Sequence, residues 1–198
     1  MIQKTLFLLL STSLSVNALH SDAVFFSNKT RPLVVSHRGD SGPFPEHSQG
    51  AYAGAFFAGA DYIELDFHPT KDGYLVVNHD PCLSTTTDIL EYSWLYKERE
   101  VDSFQFAPDG FCTNDYLIHN FTLAELKQLK RKMRYDFRSH TQDYVYHMMT
   151  VDEVIEFTLD LNDKWPRTDR DVKVGLYIEA KIYPYYKEHG FDSAELLY

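Results

Sequence analysis

Apolar and polar residues follow two rhythms along this chain. Short apolar runs typical of buried strands occupy residues 33–36, 62–67, 75–78 and 173–181. Between them, residues 46–60 carry small and apolar side chains at helical spacing. Thr150 with Glu153 forms a capping-box pattern, which predicts a helix to about residue 161. Strands that alternate with helices favour an α/β fold with a parallel sheet.

Other segments are less regular. Thr122 and Glu125 repeat the capping-box pattern and predict a helix over residues 122–132. Residues 183–190 are predicted to form a loop, after which Asp192 or Ser193 caps a further helix. Residues 82–121 lack either rhythm and are too long for an ordinary connection, so we interpret them as an inserted subdomain or lid.

Polar residues gather where the predicted strands end. They are His37, Glu64 with Asp66, His79, and Glu179 with Lys181. In a (β/α)8 barrel of the TIM type, active groups lie at the carboxyl ends of the strands. A complete barrel usually needs about 250 residues, whereas only four strands are recognisable here. We therefore expect a partial barrel that contains about the first four strands and the insertion.

The charge of the chain limits its partners. Its 198 residues carry 29 acidic and 19 basic side chains, which gives a formal net charge of −10. A negative field of this size repels polyanions, so we expect no nucleic-acid partner. A small substrate with a single phosphate remains compatible, provided that a cation lies in the site.

The first 18 residues are typical of a signal peptide. Lys4 precedes an apolar run over residues 6–10, and Ala18 is suitably small for cleavage after it. A buried first helix is the alternative interpretation. No later segment approaches the roughly 20 apolar residues of a membrane span, so no stable membrane insertion is expected. We expect the mature protein, residues 19–198, to be secreted or lumenal.

Two further features agree with export. Asn28 and Asn120 each begin a glycosylation sequon, which is typical of a secreted glycoprotein. Cys82 and Cys112 are the only cysteines, and an even number in an oxidising compartment predicts one disulfide. Two free buried thiols are the alternative.

Three acidic residues are candidates for a metal site. Glu64 and Asp66 lie two residues apart in a strand, so both point to one face. They repel each other unless one is protonated or a cation bridges them. With Glu179 they would form an oxygen-rich cup for Ca²⁺ or Mg²⁺. A polar strand face exposed to water explains the first pair equally, and an ion pair with Lys181 explains Glu179.

Two histidines are candidates for proton transfer. Phosphodiester hydrolysis needs a base for the attacking oxygen and an acid for the leaving alcohol, and His37 and His79 can divide these roles. Arg38 can hold phosphate oxygens in two-point contact, and Lys181 can meet one as a compact charge. Each histidine, taken alone, could instead be structural, and Arg38 could form a surface ion pair.

Six short motifs occur together in a defined order. They are His37-Arg38-Gly39, Pro45-Glu46-His47-Ser48, Glu64-Leu65-Asp66, Thr70-Lys71-Asp72-Gly73, His79-Asp80-Pro81 and Glu179-Ala180-Lys181. In order and spacing this set resembles the glycerophosphodiester phosphodiesterase family, from about Val34 to Glu188. The long segment after His79 resembles the insertion of the family's secreted and periplasmic, glycerol-selective branch.

The resemblance implies a (β/α)8 barrel that hydrolyses a small glycerophosphodiester to an alcohol and sn-glycerol 3-phosphate. It implies Ca²⁺ or Mg²⁺ on Glu64, Asp66 and Glu179, acid–base catalysis by His37 and His79, and phosphate binding by Arg38 and Lys181. Glu46 matches an acidic position of the family that supports the site residues without itself binding the metal or the substrate. The family's last four strands and helices have no counterpart here, so we expect a fragment or a shortened form.

Two other functions share these residues. A sphingomyelinase D-like enzyme would use the same metal and histidines on a membrane lipid, although residues 82–121 lack a basic, apolar face for docking. A non-catalytic secreted binding protein would keep the architecture without the reaction.

We predict that cleavage after Ala18 gives a mature protein that begins near Leu19. Amino-terminal sequencing of the protein recovered from the medium of expressing cells checks this. Recovery of intact Met1 from a cytosolic fraction would contradict it.

Overall fold

The computed structural model describes residues 32–108, 110–166 and 173–197. The strands are β1 (Val35–Ser36), β2 (Tyr62–Pro69), β3 (Leu75–Val77), β4 (Glu100–Ala107), β5 (Gly110–Tyr116) and β6 (Gly175–Ala180). The α-helices are α1 (Gln49–Phe57), α2 (Ser93–Tyr96), α3 (Leu123–Leu126), α4 (Val151–Lys164) and α5 (Tyr183–Glu188). Short 3₁₀ helices cover Ile89–Tyr92, Lys97–Arg99, Ile118–Asn120 and Glu195–Leu197. The predicted signal peptide and the Asn28 sequon lie outside the described residues.

Strand β2 is the centre of the main sheet. It pairs in parallel with β1 on one side and with β6 on the other. Helix α1 connects β1 to β2, as expected for a β-α-β unit. Because the three strands run in the same direction, their carboxyl ends meet at one edge of the sheet. This confirms the predicted α/β fold with parallel strands and places the polar strand ends together.

The main core lies between this sheet and two helices. Side chains of β2 pack against α1 and α4, with Ile63, Leu65, Phe67, Tyr52, Ala55, Phe56, Val154 and Leu161 all buried. Helix α4 begins at the predicted cap, since Thr150 and Glu153 form a complete capping box. The alternating residues of β2, Glu64 and Asp66, are thereby directed away from this core.

Strand β3 departs from the expected parallel sheet. It pairs antiparallel with the end of β2, with Phe67 opposite Val77. The connection over residues 70–74 is a tight turn in which Thr70 Oγ1 accepts a hydrogen bond from the Tyr74 N–H at 2.9 Å. A parallel connection needs about a dozen residues or more. The sheet therefore contains three parallel strands and one antiparallel strand, where the sequence predicted four parallel strands.

Two predicted helices are shorter than expected. Helix α1 begins only after Ser48, which caps it by accepting a hydrogen bond from the Ala51 N–H. Helix α3 ends at Leu126 rather than at residue 132. The following segment forms isolated bridges at Lys130 and Arg131. The buried side chain of Arg131 also donates hydrogen bonds to the Val77 carbonyl and the Asn78 side chain.

The end of the described chain also differs from the prediction. Residues 183–190, expected to be a loop, form helix α5 over most of their length. Pro184 lies in the first turn of α5, where a missing N–H costs no hydrogen bond. The helix expected after Asp192 or Ser193 is only the short 3₁₀ turn Glu195–Leu197.

Residues 82–121 have a structure of their own. They contain α2, the hairpin β4–β5 and three of the 3₁₀ turns. Cys82 and Cys112 are joined by a disulfide, with Cα atoms 5.9 Å apart, which confirms the predicted pairing. The disulfide and Leu117 form a small buried cluster between the hairpin and the chain that leaves β3.

Within the described ranges, we find no helix with the length and apolar character needed to cross a bilayer.

We predict that replacing both cysteines, Cys82→Ala with Cys112→Ala, lowers the free energy of unfolding by about 3 kcal/mol. The reason is that the disulfide closes a loop in the unfolded chain, and its removal restores the conformational entropy that this loop closure had taken away. Urea denaturation at neutral pH measures the change. Thr113→Ala, at an exposed position of the same strand, serves as the control and should have little effect. Equal stability of the double variant and the control would contradict the prediction.

Candidate active site

Three carboxylates converge at the carboxyl end of the parallel strands. Glu64, Asp66 and Glu179 each offer a ligand oxygen, and these oxygens lie within 4.8 Å of one another. The strand register explains this, since Asp66 of β2 is paired with Glu179 of β6. Glu64 and Asp66 are buried, whereas the Glu179 side chain is 45% exposed. The convergence expected from the sequence is present, and it is open to solvent on the Glu179 side.

The carboxylate of Asp66 is fully buried and surrounded by an imidazole, a guanidinium and an ammonium group. His47 Nε2 lies 3.1 Å from Oδ2, Arg38 Nε lies 3.8 Å from Oδ2, and Lys181 Nζ lies 3.1 Å from Oδ1. Burial alone would raise the pKa of Asp66, but the hydrogen bond and charge of His47, together with Lys181, bring it well below the usual range. Asp66 is therefore held as an anion.

Glu64 lies next to Asp66 in a less favourable environment. Its Oε2 accepts a hydrogen bond of 2.6 Å from the Arg38 backbone N–H. Burial, and then the negative charge of Asp66, raise the pKa of Glu64 far above its usual range. The two buried carboxylates oppose each other's ionisation, so a further positive charge would stabilise the pair.

The donor set fits a hard divalent cation. All three groups are carboxylates, which Ca²⁺ and Mg²⁺ prefer. Asp66 Oδ1 is buried, with the Lys181 ammonium 3.1 Å away. Glu64 and Asp66 still oppose each other's ionisation, and a bound cation would relieve that repulsion.

Lys181 lies inside the acidic cluster. Its ammonium donates a 2.7 Å hydrogen bond to Glu179 Oε1 in addition to its contact with Asp66. Burial would lower the pKa of Lys181, but these two carboxylates outweigh burial and raise it. The ion pair with Glu179, considered as an alternative from the sequence, is thus present.

The two candidate histidines lie at the edge of the cluster. Partial burial and then the charge of Arg38 lower the pKa of His37, and His79 contributes in the same direction. The imidazoles of His37 and His79 are therefore close enough to interact electrostatically. His79 Nδ1 lies 2.6 Å from Asp80 Oδ1, which orients its ring.

Arg38 and Glu46 belong to a chain of charged groups. Arg38 Nη1 lies 3.4 Å from both Glu46 oxygens. Arg134 donates two closer hydrogen bonds to the same carboxylate, of 2.8 and 3.0 Å, and a third of 2.5 Å to Asp80. Burial of Glu46 is offset by Arg134, which lowers the pKa of that carboxyl. Arg134 thereby connects Glu46, which contacts Arg38, to Asp80, which contacts His79.

The sequence model of the glycerophosphoryl diester phosphodiesterase family matches residues 37–195, which is most of the chain. This chain belongs to that family. It is 37% identical over 152 residues to a glycerophosphodiester phosphodiesterase of Arabidopsis thaliana, which covers 77% of this chain and 37% of the plant protein. It is 31% identical over 177 residues to the glycerophosphodiester phosphodiesterase of Haemophilus influenzae, which covers 84% and 44% respectively.

A solved structure is similar in fold. A phosphodiesterase of Oleispira antarctica, determined in complex with the product sn-glycerol 3-phosphate, is 27% identical, with a TM-score of 0.54 over 84% of this chain and 51% of that one. The chain thus spans about half the length, or less, of these relatives. The fold is of the (β/α)8 type, and the described residues form a part of it without closing a barrel.

Two residues of this family member were not singled out in the sequence. His47 lies in the Pro45–Ser48 motif and has a left-handed backbone, with φ of 56°. Its Nδ1 lies 2.9 Å from the Tyr52 hydroxyl, which directs Nε2 to Asp66. Arg134 lies in none of the motifs and is 88 residues from Glu46, so no local pattern connects the two.

A small cavity adjoins the phosphodiesterase-family residues His37, Arg38 and Glu46. Its volume is about 70 Å³, and Ser41, Tyr135 and Arg138 complete its lining. A larger cavity of about 530 Å³ lies elsewhere, between residues 145–149 and helix α4. The larger one includes none of the candidate site residues.

We predict that Arg134→Met lowers the free energy of unfolding by about 3 kcal/mol or more, because Glu46 and Asp80 would be left buried without their partner. Urea denaturation at pH 7 provides the measurement.

The control for Arg134→Met is Lys164→Met, which breaks an exposed ion pair on α4 and should change stability far less. The double variant Glu46→Gln with Arg134→Met should recover part of the loss. Equal effects of the two single variants would show that the buried network contributes no more than a surface pair.

Proposed function

We propose that this chain hydrolyses glycerophosphodiesters to an alcohol and sn-glycerol 3-phosphate. The observation that carries the proposal is the convergence of Glu64, Asp66 and Glu179 beside two imidazoles and a guanidinium. Family membership supports it, since the related proteins of Arabidopsis and Haemophilus are named for this activity. The product bound in the Oleispira enzyme supports the choice of substrate.

We propose that the three carboxylates hold Ca²⁺ or Mg²⁺. The oxygen-only donor set and the mutual repulsion of the buried Glu64 and Asp66 carboxylates support this choice. A bound cation of this type would polarise a phosphoryl oxygen of the substrate. The role of the chain is to keep Asp66 ionised through His47 and to keep Glu64 in place through the Arg38 backbone.

Arg38 and Lys181 are proposed to bind the phosphate. The Arg38 Nε–H is buried and lacks a hydrogen-bond acceptor among the described residues, so it has a donor to offer to an anion. Its contacts with Glu46 are long, at 3.4 Å, whereas Arg134 neutralises Glu46 more closely. Lys181 already contacts two of the proposed metal ligands, which keeps its ammonium near any phosphate bound there.

His37 and His79 are proposed to divide the proton transfers. A water molecule, or an internal hydroxyl of the glycerol, attacks phosphorus while one imidazole takes its proton. The bond from phosphorus to the alcohol oxygen breaks, and the other histidine gives that oxygen a proton. In His79 the Nδ1 atom contacts Asp80, so Nε2 is the nitrogen proposed for the transfer.

We also propose that the protein is exported, is secreted or lumenal, and carries N-linked glycans. The disulfide supports an oxidising compartment. The sequon at Asn120 lies at the end of the insertion, in a 3₁₀ turn where Asn120 is half-buried. Enzymatic deglycosylation of the exported protein, with loss of mass, tests the glycan.

We expect the purified chain to release sn-glycerol 3-phosphate from glycerophosphocholine, to lose activity with EDTA, and to regain it with Ca²⁺ or Mg²⁺. His37→Ala or His79→Ala should each lower turnover about 100-fold or more, because one proton transfer loses its catalyst. Coupled assay of the released product measures both effects.

Calorimetric titration of the cation separates binding from chemistry. The histidine variants should keep the cation affinity, whereas Asp66→Ala should weaken it strongly, because a ligand is lost. His140→Ala, at an exposed histidine, is the matched control and should change neither quantity. Full activity of both histidine variants would overturn the mechanism, and turnover of sphingomyelin in place of glycerophosphocholine would overturn the substrate.

A further inference from the structure

His68 is a buried histidine that the proposed reaction does not use. It follows Asp66 by two residues on β2, and its side chain has no exposed surface. Its ring makes two hydrogen-bond contacts that are distant in sequence. Nδ1 lies 2.9 Å from the hydroxyl of Tyr186, and Nε2 lies 3.0 Å from the backbone carbonyl oxygen of His79.

The partners of His68 define which nitrogen carries the proton. A carbonyl oxygen can only accept, so Nε2 must carry the hydrogen that it donates to His79. Nδ1 then has a lone pair and accepts the hydrogen bond of the Tyr186 hydroxyl. The three groups form a directed chain in which Tyr186 donates to His68 and His68 donates to His79. Both ring nitrogens are satisfied in this neutral tautomer.

This series of hydrogen bonds holds the backbone of His79, which is one of two parts of that residue with a hydrogen-bond contact. The imidazole of His79 is oriented by Asp80 at Nδ1, and its backbone is held through the carbonyl by His68. The backbone next to it is fixed as well, since the Asn78 N–H donates to the Asp66 carbonyl at 3.0 Å. His79 lies two residues after the end of β3, and its side chain is 26% exposed, so packing encloses its ring on only part of its surface.

The first donor in this hydrogen-bond series is the Tyr186 hydroxyl, which comes from the helix after β6. Tyr186 lies on α5, which follows the strand that carries Glu179, and it is fully buried. The hydrogen bonds of His68 therefore connect α5 to the loop that carries His79. A displacement of α5 would be transmitted to His79 through two hydrogen bonds rather than through loose contacts.

We propose that His68 is a positioning residue for His79, and that the Tyr186 hydroxyl, by donating to Nδ1, holds the His68 ring where Nε2 can donate to the His79 carbonyl; this rests on the hydrolysis proposed above. Neither residue contacts the carboxylate cluster through a hydrogen bond of its side chain in the part of the chain described here. Their effect on turnover is thus expected to pass through the orientation of His79.

The test uses two substitutions of His68 in the whole chain. His68→Leu removes both hydrogen bonds, whereas in His68→Gln the amide N–H can donate to the carbonyl and the amide oxygen can accept from Tyr186. We expect His68→Leu to lower kcat about tenfold or more, the usual effect of losing such a supporting contact. KM for glycerophosphocholine and calorimetric Ca²⁺ affinity should stay within about twofold, and His68→Gln should restore most of kcat.

Two neighbouring tyrosines provide a gentler and matched comparison. Tyr186→Phe removes only the hydroxyl that donates to His68 and keeps the ring that fills the core. Tyr185→Phe removes a hydroxyl that lies 3.3 Å from a different histidine, His119. We expect a loss of kcat for Tyr186→Phe alone. Equal kcat in the two tyrosine variants would overturn the role of Tyr186.

Nitrogen-15 NMR of histidine-labelled protein tests, independently of turnover, whether His68 holds the His79 ring in position. The His79 ring signals should shift or broaden in His68→Leu, return in His68→Gln, and stay unchanged in Tyr185→Phe. Unchanged His79 signals in His68→Leu, or identical behaviour of the Leu and Gln variants, would overturn the proposal. An inactive wild-type chain with the expected spectra would instead reject the proposed hydrolysis while leaving the positioning supported.

Discussion

The side chain of Asp66 has no exposed surface, and a carboxylate can stay ionised there only if the protein replaces the water it has lost. Three groups do so: His47 before α1, Arg38 after β1, and Lys181 after β6. Arg38 and His47 come from the loop that follows β1, and Lys181 follows β6. The burial of this one charge therefore brings the ends of β1 and β6 together around β2.

The loop between β1 and α1 shows how closely the backbone must follow this requirement. Gly39 has a φ of +80°, and a Cβ atom there would lie 2.7 Å from the backbone of Ala51. Only glycine permits both the left-handed turn and this approach. The turn lets the Arg38 N–H reach Glu64 and the Arg38 carbonyl accept from the His47 N–H. A hydrogen-bonded loop, rather than a rigid strand, thus holds two of the groups around Asp66.

Local patterns were sufficient for some features of the site and insufficient for others. Two-residue alternation put Glu64 and Asp66 on one strand face, and parallel pairing brought Glu179 to the same edge. The direction of β3 depended on turn length, which the apolar pattern alone does not express. Arg134 could not have been found, because its partners are defined only by tertiary packing. The same reason applies to Arg131, whose buried guanidinium bonds to Val77 and Asn78, more than 50 residues earlier in the chain.

The pairing of Asp66 with Glu179 joins residues that are far apart in the chain. The carboxylate cluster is therefore absent from any partly folded form in which β6 has not yet docked on β2, and its formation requires the closure of a long loop. A ligand that recognises all three oxygens binds only the completed sheet, so it shifts the folding equilibrium toward that state by mass action. The affinity for such an ion would then depend on whether β6 is paired with β2 in the native register.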